Sequence, residues 1–145
     1  MIIKQSRNTL SKTYQDAVKI RKTVFVGEQG VPVTIEVDKD ENRCIHFTVY
    51  NDSGNPCATC RVLPNKQGHT ALLQRMAVLT DYRRQRIGKT LVMYAMDFFR
   101  IEGYESMSLH AQLSAQNFYE KLGFQAEGDI FQEAGIDHIT MTAQL

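Results

Sequence analysis

The stretch Leu72–Leu91, LLQRMAVLTDYRRQRIGKTL, decides the fold. With Ala71 it starts as a mostly apolar run to Leu79, which reads as a strand. It ends in a helix, because Ile87, Leu91, Val92, Ala95, Phe98 and Phe99 fall on one stripe while Arg84, Lys89 and Arg100 fall off it. Gly103 stops that helix. A strand that turns directly into a helix leaves the first backbone N–H groups of the helix unpaired, at the positive end of its dipole. Such a terminus is a site for phosphate oxygens. Gly88 lets the backbone approach closely, and Arg83, Arg84, Arg86 and Lys89 add positive charge.

Gly88-Lys89-Thr90 has the ending of a Walker A loop, but that motif needs glycine five residues before Gly88, where Arg83 stands. The turn has no other glycine, so nucleotide hydrolysis is set aside. A basic turn by itself is as readily a solvated helix start.

Outward from this segment the elements alternate. Ile2–Gln5 reads as a short strand, and Ser11 is an N-cap ahead of Tyr14, Ala17, Val18, Val24 and Phe25 at near-helical spacing. Gly27, Gly30 and Pro32 close that helix and open an acid-rich loop: Glu28, Glu36, Asp38, Asp40 and Glu41. In an exposed loop Asp40 and Glu41 read as solvated. Cys44–Tyr50 and Cys57–Leu63 are strands about the turn NDSGNP, and Pro64–Gly68 is a further turn. Beyond Gly103, Ser106–Ala111 is a strand and Leu113–Leu122 a short helix closed by Gly123. Phe124–Leu145 makes two strands joined near Gly135. The order β-α-β-β-β-α-β-α-β-β implies an α/β domain with a mixed, partly parallel sheet of about seven strands and helices on both faces. No repeat, low-complexity tract or linker divides residues 1–145, so one domain is expected.

Composition narrows the function classes. A formal net charge of +1 in 145 residues gives no bulk pull towards nucleic acid or membrane. No apolar run reaches spanning length, and MIIKQSRNTL has neither the apolar core nor the cleavage site of a signal peptide, so a cytoplasmic location is expected. Cys44, Cys57 and Cys60 are an odd set that reads as reduced thiols. Cys57 and Cys60 form a CxxC, but positions three apart on a strand point to opposite faces and no second pair completes a site; no metal is expected.

A second motif complements the first. In Ser114–Phe124, SAQNFYEKLGF, Ala115 and Tyr119 precede Lys121, Gly123 and Phe124. Together with the pattern Arg83-Arg84-Gln85-Arg86-Ile87-Gly88, this resembles the GNAT N-acetyltransferase superfamily, whose turn has the form [Q/R]-x-x-G-x-[G/A]. VFVGEQGVPVTIEVDKDE, CATCRVLP, LHAQLSAQNFYEKLGF and EAGIDHITM are similar to the ElaA-like branch, so the resemblance runs from about Arg21 to the end. Arg86 replaces the first glycine, which implies a turn held in an arginine-compatible conformation.

The resemblance implies acetyl-CoA as cosubstrate and an amine of a small molecule or peptide as acceptor, joined by direct attack in a ternary complex. The backbone of Met76, Ala77 and Val78 would pair with the pantetheine arm, and an N–H near Val78 would face the thioester oxygen. The pyrophosphate would lie on Arg83, Arg84, Gln85, Arg86, Ile87, Gly88, Lys89 and Thr90, with Gln112, Asn117 and Tyr119 completing the cofactor site. Tyr119 would be the general acid to the leaving sulfur. The strand before the turn offers Gln74 and Arg75 where some members of the superfamily have a glutamate, so the base would be water or one of Glu28, His46, His110, Glu133 and His138; Glu28, His110 and His138 rank first. The acidic segment Glu28–Glu41 would flank the acceptor cleft. Two other readings stand beside this one: a non-catalytic acyl-CoA-binding module, and a nucleic-acid binder using Arg83–Lys89. The terminal strands offer pairing to a second copy, so a homodimer is a further expectation.

Overall fold

A computed structural model describes the backbone of residues 1–145 and all side chains but those of Thr34 and Ile35. Seven strands form one sheet: β1 (Ile2–Ser6), β2 (Ile45–Tyr50), β3 (Pro56–Pro64), β4 (Thr70–Val78), β5 (Ser106–Gln112), β6 (Gln125–Glu133) and β7 (Ile136–Gln144). Their spatial order is β1-β2-β3-β4-β5-β7-β6, with β4 and β5 parallel and every other pair antiparallel. The mixed sheet inferred from element order is therefore present. The helices are α1 (Lys12–Arg21), α2 (Val33–Glu36), α3 (Ile87–Ile101) and α4 (Gln116–Glu120). The short α2 lies where the sequence reads as loop.

Local chemistry explains the first layer. The Ser11 hydroxyl accepts from the Tyr14 amide at 3.2 Å and caps α1. After Arg21 the helix widens into a π-helical turn, Lys22–Glu28, which is left through Gly30 at φ 72. That turn brings Val24 and Phe25 against Ala77 and Leu79 of the β4 side. On the opposite face α3 buries Leu91, Val92, Ala95 and Phe99 against β3 and β4. Phe47, Phe98, Phe99 and Tyr104 extend that core through successive edge-on contacts of 5.7, 5.2 and 4.8 Å.

Two irregularities of β4 shape the site. Its register to β3 shifts from Arg61↔Gln74 to Thr59↔Ala77, so Arg75 and Met76 oppose Cys60 alone. Arg75 carries this bulge at φ 56. Beyond it, Met76 and Val78 turn to the α3 side while Ala77 packs beneath α1. On its other edge β4 pairs with β5 from Thr70↔Ser106 to Leu73↔Leu109, and there the ladder ends. Both strands run on, β4 to Val78 and β5 to Gln112, with the sheet open between them.

The acidic segment does reach the cleft, through Glu36 and Asp38, but Glu41 is not the solvated group it reads as. Glu36 and Glu41 are buried. Arg21 donates to both, at 2.8 and 2.7 Å, and to the Glu36 carbonyl. Arg61 donates to Glu41 and to both oxygens of Asp38, and Arg75 pairs with Glu36 and Asp38. Glu41 is thus a buried bridge between two arginines, because a charge in the interior must be paired. Asp40 holds Arg43 at 2.8 Å. The three cysteines are free and buried.

Candidate active site

The opening between β4 and β5 is the mouth of a cleft of about 880 Å³. Its floor is β4, its far end the start of α3, and its walls are the π turn after α1 on one side and β5, β6 and β7 on the other. From Gln74 onward, the edge of β4 facing β5 has no strand partner, so an extended ligand can add to it.

Arg83, Arg84, Arg86, Ile87, Gly88 and Lys89 line the far end. Arg86 is the N-cap of α3 and its side chain makes no cap hydrogen bond, so the first N–H groups of the helix are left for another acceptor. The turn is not arginine-compatible in the sense expected. Arg84 and Arg86 take glycine-like left-handed conformations, φ 64 and φ 62. The turn geometry wins over the side-chain preference, which costs about 1 kcal/mol for an L-residue. Gly88 has a packing reason: a Cβ there would meet Met76 Cε at 3.0 Å and Phe118 Cζ at 3.5 Å.

Arg83 is engaged, donating to the Val78 carbonyl at 2.8 Å and to Glu28 at 2.9 Å. Among the described residues no carboxylate pairs with Arg84, Arg86 or Lys89. Gln85 and Thr90 turn away: the Thr90 hydroxyl donates to the Arg86 carbonyl at 2.9 Å and Gln85 to the Asp81 carbonyl. Asn117 is also outside the lining, while Met76, Ala77, Val78 and Gln112 are within it.

Tyr119 lines the cleft on α4 and is 7% exposed. Its ring is fixed by edge contacts to Phe118 at 5.0 Å and Phe124 at 5.8 Å. Burial raises its pKa well above the ordinary phenol value, and the neighbouring Cys60 adds to that. The hydroxyl therefore stays protonated and available as a donor.

The ranked base residues separate. Glu28 lies outside the lining, held by Arg83 and Thr80, and the Arg83 hydrogen bond lowers its pKa. His46 is buried beneath α1, with Nε2 on the Glu41 carbonyl at 2.7 Å and burial lowering its pKa. His110 and His138 do line the cleft, together with Glu133, which sits between them. Residues that sequence left unassigned complete the walls: Phe25, Gln29 and Val31 from the π turn, and Ala134 and Ile136 from the β6–β7 turn. Gln29 and Gln112 exchange amide hydrogen bonds, the shorter 3.0 Å, across the mouth. No local pattern announces a pair 83 residues apart.

Residues 12–145 match the model of the acetyltransferase (GNAT) domain. The chain belongs to the GNAT acetyltransferases. Members of that family transfer an acyl group from an acyl-CoA. The protein YyaT of Bacillus subtilis is 36% identical over 142 residues, which are 96% of this chain and 94% of that one. A crystal structure from Lactobacillus plantarum superposes with a TM-score of 0.89 at 27% identity, over 99% and 97% of the two chains. Escherichia coli ElaA does so with 0.87 at 23%, over 99% of each, and so shares the fold. Among the described residues no helix is long and apolar enough to cross a membrane, and no group of His, Cys, Asp or Glu is arranged to hold a metal ion.

Proposed function

We propose that this GNAT domain is an N-acetyltransferase that moves the acetyl group of acetyl-CoA to the amine of a small-molecule or peptide acceptor, in a ternary complex. The observation that carries the reading is the open edge of β4 beyond Leu73, with Tyr119 beside it and the uncapped start of α3 at its end.

The pantetheine arm adds to the backbone of Met76–Val78 as a further strand, and the pyrophosphate caps α3 beside Arg84, Arg86 and Lys89. An N–H near Val78 donates to the thioester oxygen and stabilises the oxyanion that forms when the amine adds. The acceptor arrives as an ammonium and first loses one proton to a base. Its nitrogen then forms the N–C bond. As the intermediate collapses, the C–S bond breaks, the second nitrogen proton leaves, and the CoA sulfur ends as the thiol. The Tyr119 hydroxyl donates to that sulfur while charge builds on it.

Incubating the protein with acetyl-CoA and a panel of primary amines, reading thiol release and the mass of the product, tests this. Thiol release coupled to an acetylated amine is expected. No release with any amine, or release without acetylated product, contradicts it.

A further inference from the structure

The face of β5, β6 and β7 turned towards the cleft carries the candidate bases His110, Glu133 and His138, whose separate roles their contacts distinguish. Alternation along β5 sends Met107, Leu109 and Ala111 into the core and leaves His110 and Gln112 on the opposite face. Register places His138 directly opposite both Gln112 on β5 and Phe131 on β6. Phe131 stands between the two imidazoles, edge-on to His110 at 5.1 Å and stacked on His138 at 6.0 Å.

Glu133 ties the set together. One oxygen accepts from His110 Nδ1 at 3.0 Å, and the other faces His138 Nε2 at 3.7 Å. His138 Nδ1 lies 2.7 Å from the Ile136 carbonyl. A carbonyl can only accept, so Nδ1 carries the proton and Nε2 of the neutral ring keeps its lone pair. When Nε2 takes a proton, the imidazolium gains a carboxylate it did not need before. The ring itself is almost enclosed, with 8% of its side chain exposed, while it lines the cleft.

Charge on the two walls differs. Glu36 and Asp38 line the opposite wall, but Arg21, Arg61 and Arg75 neutralise them. Among the described residues, Glu133 is the carboxylate of the lining that faces imidazoles instead of guanidiniums. That wall attracts a cation and can hold its proton afterwards.

We propose that His138 is the proton acceptor for the incoming ammonium and that Glu133 is the residue that positions it and stabilises its charged form. This rests on the acetyl transfer to an amine proposed above. One N–H bond of the ammonium breaks, the proton bonds to His138 Nε2, and the lone pair freed on nitrogen attacks the thioester carbon. The proton leaves to water after product release. His110 holds the second oxygen of Glu133 and so fixes which oxygen serves His138.

The experiment compares the best alkylamine of the panel with its β,β-difluoro analogue. The two are close in shape, but at about pH 9 the fluorinated amine is already unprotonated while the alkylamine is still mostly an ammonium. His138→Gln should lower kcat/KM for the alkylamine by roughly 100-fold, the usual size of a lost proton transfer. The fluorinated amine should lose at most a few-fold. Glu133→Gln should shift the ratio in the same sense by a smaller factor, and calorimetric binding of acetyl-CoA should be unchanged in both. Equal losses for the two amines, or no loss, would overturn the proposal; a wild type that acetylates neither would overturn the function itself. If His138→Gln does not fold, His138→Asn and Glu133→Gln carry the same comparison.

Discussion

Burial changes what the Tyr119 hydroxyl can offer. A phenol pushed above its ordinary value of about 10 does not readily give its proton to a thiolate whose conjugate acid lies near 8.5. In the proposed reaction it would instead donate a hydrogen bond that strengthens as charge grows on sulfur. Tyr119→Phe should therefore lower kcat by about 100-fold and leave acetyl-CoA affinity nearly unaltered, as stopped assays and calorimetry would show. Arg86 makes a separate point. At φ 62 the arginine occupies a conformation that glycine adopts without cost. Arg86→Gly should hold or raise the melting temperature, by at most about 4 °C for a gain near 1 kcal/mol, while weakening acetyl-CoA binding. A melting temperature several degrees lower would show that the arginine side chain, not the turn, holds the loop.

Elements built from local pattern were legible, and those built from distant partners were not. The strand Ala71–Leu79, the stripe from Ile87 to Phe99 and the turn at Gly135 each carry their signal within a few residues. The bulge at Arg75 and the parting of β4 from β5 after Leu73 depend on register with neighbouring strands, which no single segment encodes. Glu41 shows the same limit. A carboxylate in an acidic loop reads as solvated until Arg61, 20 residues on, is seen to reach it. The site was legible to the same degree: Tyr119 and the arginine turn were visible in motif, while Glu133 gains its meaning only from His110 and His138 across two strands. Arg61→Leu should cost about 3–5 kcal/mol in a urea melt, because it leaves Asp38 and Glu41 under-compensated. A loss below about 1 kcal/mol would mean that this network behaves like a surface pair.

For the whole molecule these buried charges set the response to pH. The Arg61 hydrogen bonds hold Asp38 well below the ordinary aspartate range, and Arg21 holds Glu41 below its own against the upward push of burial. Their stability is present above about pH 4, the unfolded carboxylate range, and is lost as pH falls through the folded values. Burial lowers His46, so below about pH 6.5 the unfolded chain takes a proton that the folded one refuses, and stability falls in that direction too. The melting temperature should be flat from about pH 7 to 8, decline below about pH 6.5 and drop steeply below about pH 4. Above about pH 8.5 it should fall again, because the unfolded chain gives up cysteine and tyrosine protons that burial retains in the folded one. His46→Gln should flatten the first part of the decline; an unchanged profile would contradict the assignment to His46.

The central claim is that the open edge of β4 and the arginine turn hold acetyl-CoA. Titration calorimetry of acetyl-CoA into the wild type and into Arg84→Glu/Lys89→Glu tests it most directly, since neither cation has a carboxylate partner among the described residues whose loss would disturb the fold. The account predicts one-to-one binding by the wild type and its loss in the folded double variant. Wild-type protein that binds no acetyl-CoA, or a double variant that binds it as tightly, would contradict the account.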